Sequence, residues 1–332
     1  MFKGTMLRRP RFGEPARGFT IVEMLVVVAI IAALAAILLP ALGAAKRRSK
    51  KTQEQNDIRQ LGIAWNLYGN NYNDAAIPGH ISEEVQQIWG VDYDYPTSNL
   101  ETGEIDIPPV IAESWVWRIM SYIDDSHDTL HRYAQEDYPA IGNIVTEEPL
   151  NFALTPGFGY NSFYVGGWWD IVEQVQDPNG QGTFTVARSR FFEDDAGDLL
   201  RVMRPSIGSV RRSSEVAIFT SSATLTLAQG GLYKEVDPFT SGSYFVTPTV
   251  VGSVDVWDTA NVGGGTDPKS IQAKVDNFGY PAGRYNGQVV VLTADGHTEL
   301  HYPGGIREVS RFIDTATDSG FEHTGEVPSP PF

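Results

Sequence analysis

Glu23 is the residue whose position most demands a chemical role. Residues 24–39 are without exception apolar, and Phe19, Ile21 and Val22 extend that run backwards past it. An acid inside such a segment costs on the order of a few kcal/mol in a bilayer unless something neutralises it, so a partner is expected. A second set of reactive types lies near the C-terminus, where Asp295, His297, Glu299 and His301 fall at alternate positions, one face of a strand. Those are metal-ligand types, and a solvated polar face accounts for the same pattern. If Asp295-Gly296 forms a turn, Asp295 leaves the face and only the other three stay in line. Acid-rich stretches at 92–94, 124–128 and 193–198 offer oxygen donors of the kind calcium takes. None has a regular calcium-loop spacing, so calcium is an expectation without assigned ligands, and no other cofactor is expected.

Little else points to catalysis. The chain has no cysteine, which removes disulfides, thiolate metal sites and thiol nucleophiles. No Gly-x-Ser-x-Gly elbow, His-Glu-x-x-His pair or phosphate loop occurs. Glu83-Glu84 and Asp194-Asp195 are neighbours in sequence and read as solvated faces, not acid/base pairs. His80, His127 and His131 have no evident partner. The aromatic cluster at 160–169 would stack on a sugar, yet reads more readily as core or subunit interface. The chain is therefore expected not to be an enzyme.

The elements that carry Glu23 are legible. An apolar stretch of about 20 residues is long enough to cross a bilayer as a helix. Pro40 is expected to kink or locally unravel that helix, and Gly43 weakens the same turn. Beyond it, Ile58, Leu61, Trp65, Tyr68 and Tyr72 are spaced 3, 4, 3 and 4 apart, an apolar stripe on one helical face. Turn formers from Asn70 to Asp74 end the helix. A cleaved secretory signal would place its cut near Ala41-Leu42-Gly43, and a plain signal anchor would leave Glu23 without a purpose.

Charge is divided along the chain. Residues 1–18 hold five basic side chains against Glu14, and a second basic cluster occupies 46–51. From residue 19 onward there are 20 basic and 40 acidic residues, a net charge of -20. Phosphate backbones repel such a body, so nucleic acid is not an expected partner. Five basic residues precede the apolar run and five follow it, so charge alone does not orient the helix in a membrane.

The run Arg17-Gly18-Phe19-Thr20-Ile21-Val22-Glu23-Met24-Leu25 resembles the prepilin processing motif of type IV pilins and type II secretion pseudopilins. The resemblance implies cleavage between Gly18 and Phe19 by a prepilin peptidase on the cytoplasmic side, followed by N-methylation of Phe19. Glu23 then becomes the fifth residue of the mature chain and Pro40 the twenty-second, both positions where the family usually has these residues. It further implies assembly through the helix, with Glu23 pairing with a neighbour's new N-terminus. Identical or related pilin or pseudopilin subunits and an inner-membrane assembly platform would be the partners.

The C-terminal part is expected to hold a short helix at 114–123 and strands at 215–220, 243–251, 288–294 and 297–302, with Asp295-Gly296 as a two-residue hairpin turn. It resembles large pilin-like proteins of planctomycete and verrucomicrobial bacteria, in which a histidine precedes Asp-Gly by nine residues; Tyr285 stands in its place here. Ser114-Trp115 with Tyr122, Gly159-Tyr160-Asn161-Ser162, and Pro205-Ser206 before Glu215 resemble that group too. The expected architecture is α+β and pilin-like: a leader at 1–18, a transmembrane and assembly helix at 19–42, its amphipathic continuation at 43–74, and an exported acidic domain at 75–332 packing an antiparallel sheet on the helix. A single-pass inner-membrane pilus or pseudopilus subunit is the functional expectation. The alternative is a glycan- or substrate-binding module that uses the helix as an anchor.

Overall fold

The computed structural model describes residues 20–91, 94–96, 104–106, 109–123, 127–131, 153–180, 182–189, 192–193, 199–200, 203–224, 234–235, 242–251, 254–262, 265–275, 278–314 and 316. The chain divides into two compact units, Met1–Ser49 and Lys50–Phe332. The long helix α1, Ile21–Asn71, supplies the described part of the first unit and opens the second. It runs unbroken through Pro40, so the local unravelling considered for that residue does not occur. The proline removes one backbone donor, which neighbouring turns tolerate.

The compact body starts well before residue 75. It takes in the last turns of α1 because the apolar stripe needs a surface to bury against. Ile58, Leu61, Trp65 and Tyr68 are buried, whereas Tyr72, just past the helix, is exposed and stacks on Tyr68 at 4.4 Å between ring centroids. Asn73 and Asp74 take φ of 54° and 68°, the left-handed conformation that ends a helix and that Asn and Asp adopt most readily.

The helix lies on an antiparallel sheet, as expected. Its strands are β1 (Phe158–Tyr160), β2 (Ala217–Thr224), β3 (Gly279–Pro281), β4 (Val289–Thr293) and β5 (Thr298–His301). β2 is the hub, pairing with β1, β3 and β4, while β5 pairs with the far edge of β4. Every residue of β4 is buried, consistent with its unbroken Val-Val-Val-Leu-Thr sequence. The hydroxyls of β2 are accommodated by specific bonds: the backbone N–H of Val290 donates to Ser221 Oγ at 2.8 Å, and Ser222 Oγ donates to the Ser243 carbonyl at 2.7 Å. At Gly62 the helix comes so close to β4 that an added Cβ would sit 2.8 Å from a methyl of Leu292. That contact explains a glycine in the middle of a helix.

Two expectations need correction. The 243–251 segment forms a strand only at Val250–Val251. Its backbone instead weaves among separate partners: Tyr244 N–H donates to Leu154, Val246 to Tyr160 and Thr247 to Gly279, so no ladder develops. The turn at Asp295-Gly296 is not the two-residue type. Gly296 N–H donates to the Thr293 carbonyl at 2.9 Å, and only Gly296 has positive φ, 87°, where a type I′ turn needs both central residues there. The two-residue turn lies upstream instead, at Asn286 and Gly287, with φ of 61° and 70° between the bridged residues Tyr285 and Gln288.

Nothing lies within 4 Å of a Cβ built on Gly296, so Gly296→Ala bears only the cost of the left-handed conformation. Loss of about 1 kcal/mol is expected in chemical denaturation, with no change in the sheet. A loss of several kcal/mol would show that this turn is assigned wrongly.

Candidate functional site: the N-terminal helix and its buried root

The N-terminal part of α1 is apolar and exposed among the described residues. Its large apolar side chains are exposed from Ile21 at 84% to Leu42 at 67%. Among the described residues it is the one helix long and apolar enough to cross a membrane, by length and composition. Gly18 and Phe19, expected to flank the processing cut, lie outside the described residues, as does the leader.

Glu23 sits in the first turn, where the helix N-terminus welcomes a negative charge. Thr20 precedes the helix and forms a reciprocal capping box with it. The Thr20 backbone N–H and its hydroxyl each donate to Glu23 Oε2 at 2.8 Å, and Glu23 N–H reaches Thr20 Oγ1 at 3.3 Å. Both contacts with the carboxylate fall on one oxygen, which leaves Oε1 available. Sequence reasoning did not use Thr20, although Thr-x-x-Glu ahead of an apolar run is a recognisable cap signature.

The other end of α1 is held by a buried ion pair. Arg284 Nη1 donates to Glu54 Oε1 at 3.0 Å, with side chains 1% and 8% exposed. The same guanidinium donates to the carbonyls of Gly157, at 2.9 Å, and of Ser222. Burial holds the Glu54 carboxyl above the usual carboxylate range, against the opposing pull of Arg284; nearby Asp57 adds to the rise. Around this pair the helix is fixed by Trp65 Nε1 donating to Tyr160 Oη at 3.2 Å, by Lys51 Nζ to Gln288 Oε1 at 2.6 Å, and by Arg59 Nε to Thr298 Oγ1 at 2.7 Å. Glu54 was overlooked in the sequence. It stands four residues before Ile58 and so continues the stripe, an acid where an apolar residue was due.

The residues that resemble large pilin-like proteins prove to be structural. Tyr160 accepts from Trp65, Asn161 Nδ2 donates to the carbonyls of Ala217 and Phe312 at 2.9 and 2.7 Å, and Trp115 Nε1 donates to the Tyr244 carbonyl. Tyr285 is buried beside Arg284 and lines a small pocket with Glu54 and Asp57.

The alternating acids and histidines do not converge. His297 Nδ1 pairs with Asp295 Oδ2 at 2.8 Å, while His301 Nε2 lies 2.6 Å from Glu299 Oε2. Arg311 Nη2 occupies the same carboxylate oxygen at 3.1 Å, a cation where a metal would have to sit. Among the described residues no three His, Asp or Glu side chains gather as a metal site. The calcium candidates at 92–94, 124–128 and 193–198 fall largely outside the described residues.

Residues 15–39 match the family model of the prokaryotic N-terminal methylation motif. The chain carries a prepilin-type N-terminal segment. Part of the chain is also similar to a curated relative. That relative is the type IV wide pilus major component PilA4 of Thermus thermophilus, 42% identical over 67 residues. The alignment covers 19% of this chain, which spans about half of the relative's length, 51%. No solved structure matches.

Proposed function

We propose that this chain is a structural subunit of a type IV pilus-like filament, made as a prepilin and held in the inner membrane until assembly. The observation that carries the reading is the exposed apolar part of α1, where among the described residues the Glu23 carboxylate has one oxygen capped and the other open. Prepilin peptidase would cut between Gly18 and Phe19 and methylate Phe19, leaving an ammonium beside the low-dielectric layer that holds Glu23. In a filament, Glu23 Oε1 accepts from the Phe19 ammonium of a neighbouring subunit while Oε2 keeps its cap. Each charge then neutralises the other, whereas either one alone in hydrocarbon is penalised by several kcal/mol. The helix dipole already favours the acid, so the capped state is a tolerable resting form before assembly. The body would lie on the periplasmic or outer side, and an inner-membrane assembly platform would lift subunits from the bilayer. The likeness to a type IV pilus component favours a pilus over a secretion pseudopilus.

Mass spectrometry of the mature N-terminus tests the processing step: the expected product begins at methylated Phe19, and an intact Met1 or a cut after Gly43 would refute it. Glu23→Ala is expected to leave cleavage largely intact while lowering filament yield at least about tenfold, read by shearing and sedimentation; a free-energy loss above about 1.4 kcal/mol per subunit contact suffices. Normal incorporation of that variant would remove the charge-pairing mechanism.

A further inference from the structure

We propose that Asn179 is a site of spontaneous covalent modification, converting to aspartate and isoaspartate through its bond to Gly180. The chain has two Asn-Gly pairs, Asn179-Gly180 and Asn286-Gly287. The pairing is reactive because glycine has no Cβ to obstruct its own amide nitrogen. That nitrogen loses its proton to solvent base and attacks the asparagine Cγ, and the Cγ–Nδ2 bond breaks with Nδ2 leaving as ammonia. The cyclic succinimide then takes up one water. Opening at Cγ gives aspartate, opening at the main-chain carbonyl gives isoaspartate, and neither route needs an oxidant or a reductant.

The two pairs stand in different surroundings. Asn179 is at the tip of a two-stranded ribbon, Trp168–Gln176 paired with Thr183–Ser189, whose residues become exposed toward the turn. Pro178, Asn179 and Gly180 are all exposed, and nothing lies within 4 Å of a Cβ built on Gly180. Among the described residues, the attacking nitrogen is restrained by one turn bond, Gly180 N–H donating to the Asp177 carbonyl at 2.8 Å. Asn179 N–H donates to Asp177 Oδ1, also at 2.8 Å. Exposed turn bonds of this kind open at little free-energy cost. Asn286-Gly287 is clamped instead. Tyr285 before it is buried, and β4, buried throughout, begins at Val289. A Cβ on Gly287 would sit 3.0 Å from that of Lys269, and one on Gly283 would meet the Gly287 carbonyl carbon at 2.6 Å. Bringing the Gly287 nitrogen onto Asn286 Cγ means loosening the start of β4, an opening from the costly end of the local stability range. The products would alter the ribbon. Aspartate adds a negative charge beside Asp177, and isoaspartate adds a methylene to the main chain of the loop that Asp177 N–H closes on the Gly182 carbonyl at 2.8 Å.

The test incubates the full-length, detergent-solubilised chain at alkaline pH in heavy-oxygen water, until a urea-unfolded sample is labelled at both pairs. Peptides are then mapped by mass spectrometry. In the folded chain one heavy oxygen should enter at position 179 at least about tenfold faster than at 286, the ratio that ~1.4 kcal/mol of difference in local opening supplies. In urea the two rates should converge. A smaller excess in the folded chain, a faster reaction at 286, or no label at 179 would overturn the proposal.

Discussion

Arg284→Met is expected to destabilise the body by about 3–5 kcal/mol, the usual cost of removing one partner of a buried ion pair. The guanidinium serves Glu54 together with the carbonyls of Gly157 and Ser222, so three acceptors each lose a hydrogen bond at once. The loss should depend on pH in a definite direction. Burial already raises the Glu54 carboxyl above its ordinary value, and without Arg284 it rises further. A carboxyl whose folded pKa exceeds its unfolded one, near ~4.3, destabilises the folded state fully above the folded pKa. That penalty fades as pH falls toward the unfolded value. Unfolding of the detergent-solubilised chain should therefore show a smaller Arg284→Met deficit at about pH 5 than at about pH 8. An equal deficit at both would mean that Glu54 is not the group left stranded. Replacing both partners, as Glu54→Met with Arg284→Met, should recover much of the loss, because hydrophobic substitutes of similar volume often match a buried pair.

Trp65→Ala is expected to cost a similar amount, about 3–5 kcal/mol, by a different route. Trp65 is among the largest fully buried side chains, and its truncation leaves a cavity between helix and sheet. Tyr160 Oη also loses the indole N–H that reaches it at 3.2 Å. No titrating group is stranded, so this deficit should stay constant between about pH 5 and pH 8, the opposite of the Arg284 result. Trp65→Phe keeps most of the volume and removes the donor, with about 1–2 kcal/mol expected. Hydrogen exchange at α1 would locate the effect. If protection near Ile58 and Leu61 is unchanged in Trp65→Ala, the indole is not what seats the helix.

The helix was the most legible element because its signals are local. An apolar run, turn formers from Asn70 to Asp74 and a stripe at 3.6-residue spacing need no knowledge of distant residues. The strands around Val289–Thr293 and Ala217–Thr224 were found for the same reason, within a few residues at their ends. What escaped was decided elsewhere in the chain. Glu54 and Arg284 are 230 positions apart, and neither announces the other. The 243–251 segment has the composition of a strand, but its donors go to three different partners. A nine-residue strand at Gly265–Ala273 was hidden by Pro268, which sequence rules exclude from central strands. Asn286-Gly287 and Asp295-Gly296 compete as turn signals, and register with β2 and β5 decides which becomes the tight one.

The way α1 is rooted has a mechanical consequence. Its buried face runs from Glu54 to Gly69, several helical turns of side chains held by an ion pair, an indole hydrogen bond and a close helix–sheet approach at Gly62. Tension applied along the helix axis would load these attachments in shear and simultaneously, so no single one has to bear the full force before the next engages. A fastening of that kind resists a steady pull far better than one that peels open contact by contact, and the body would travel with its helix under traction.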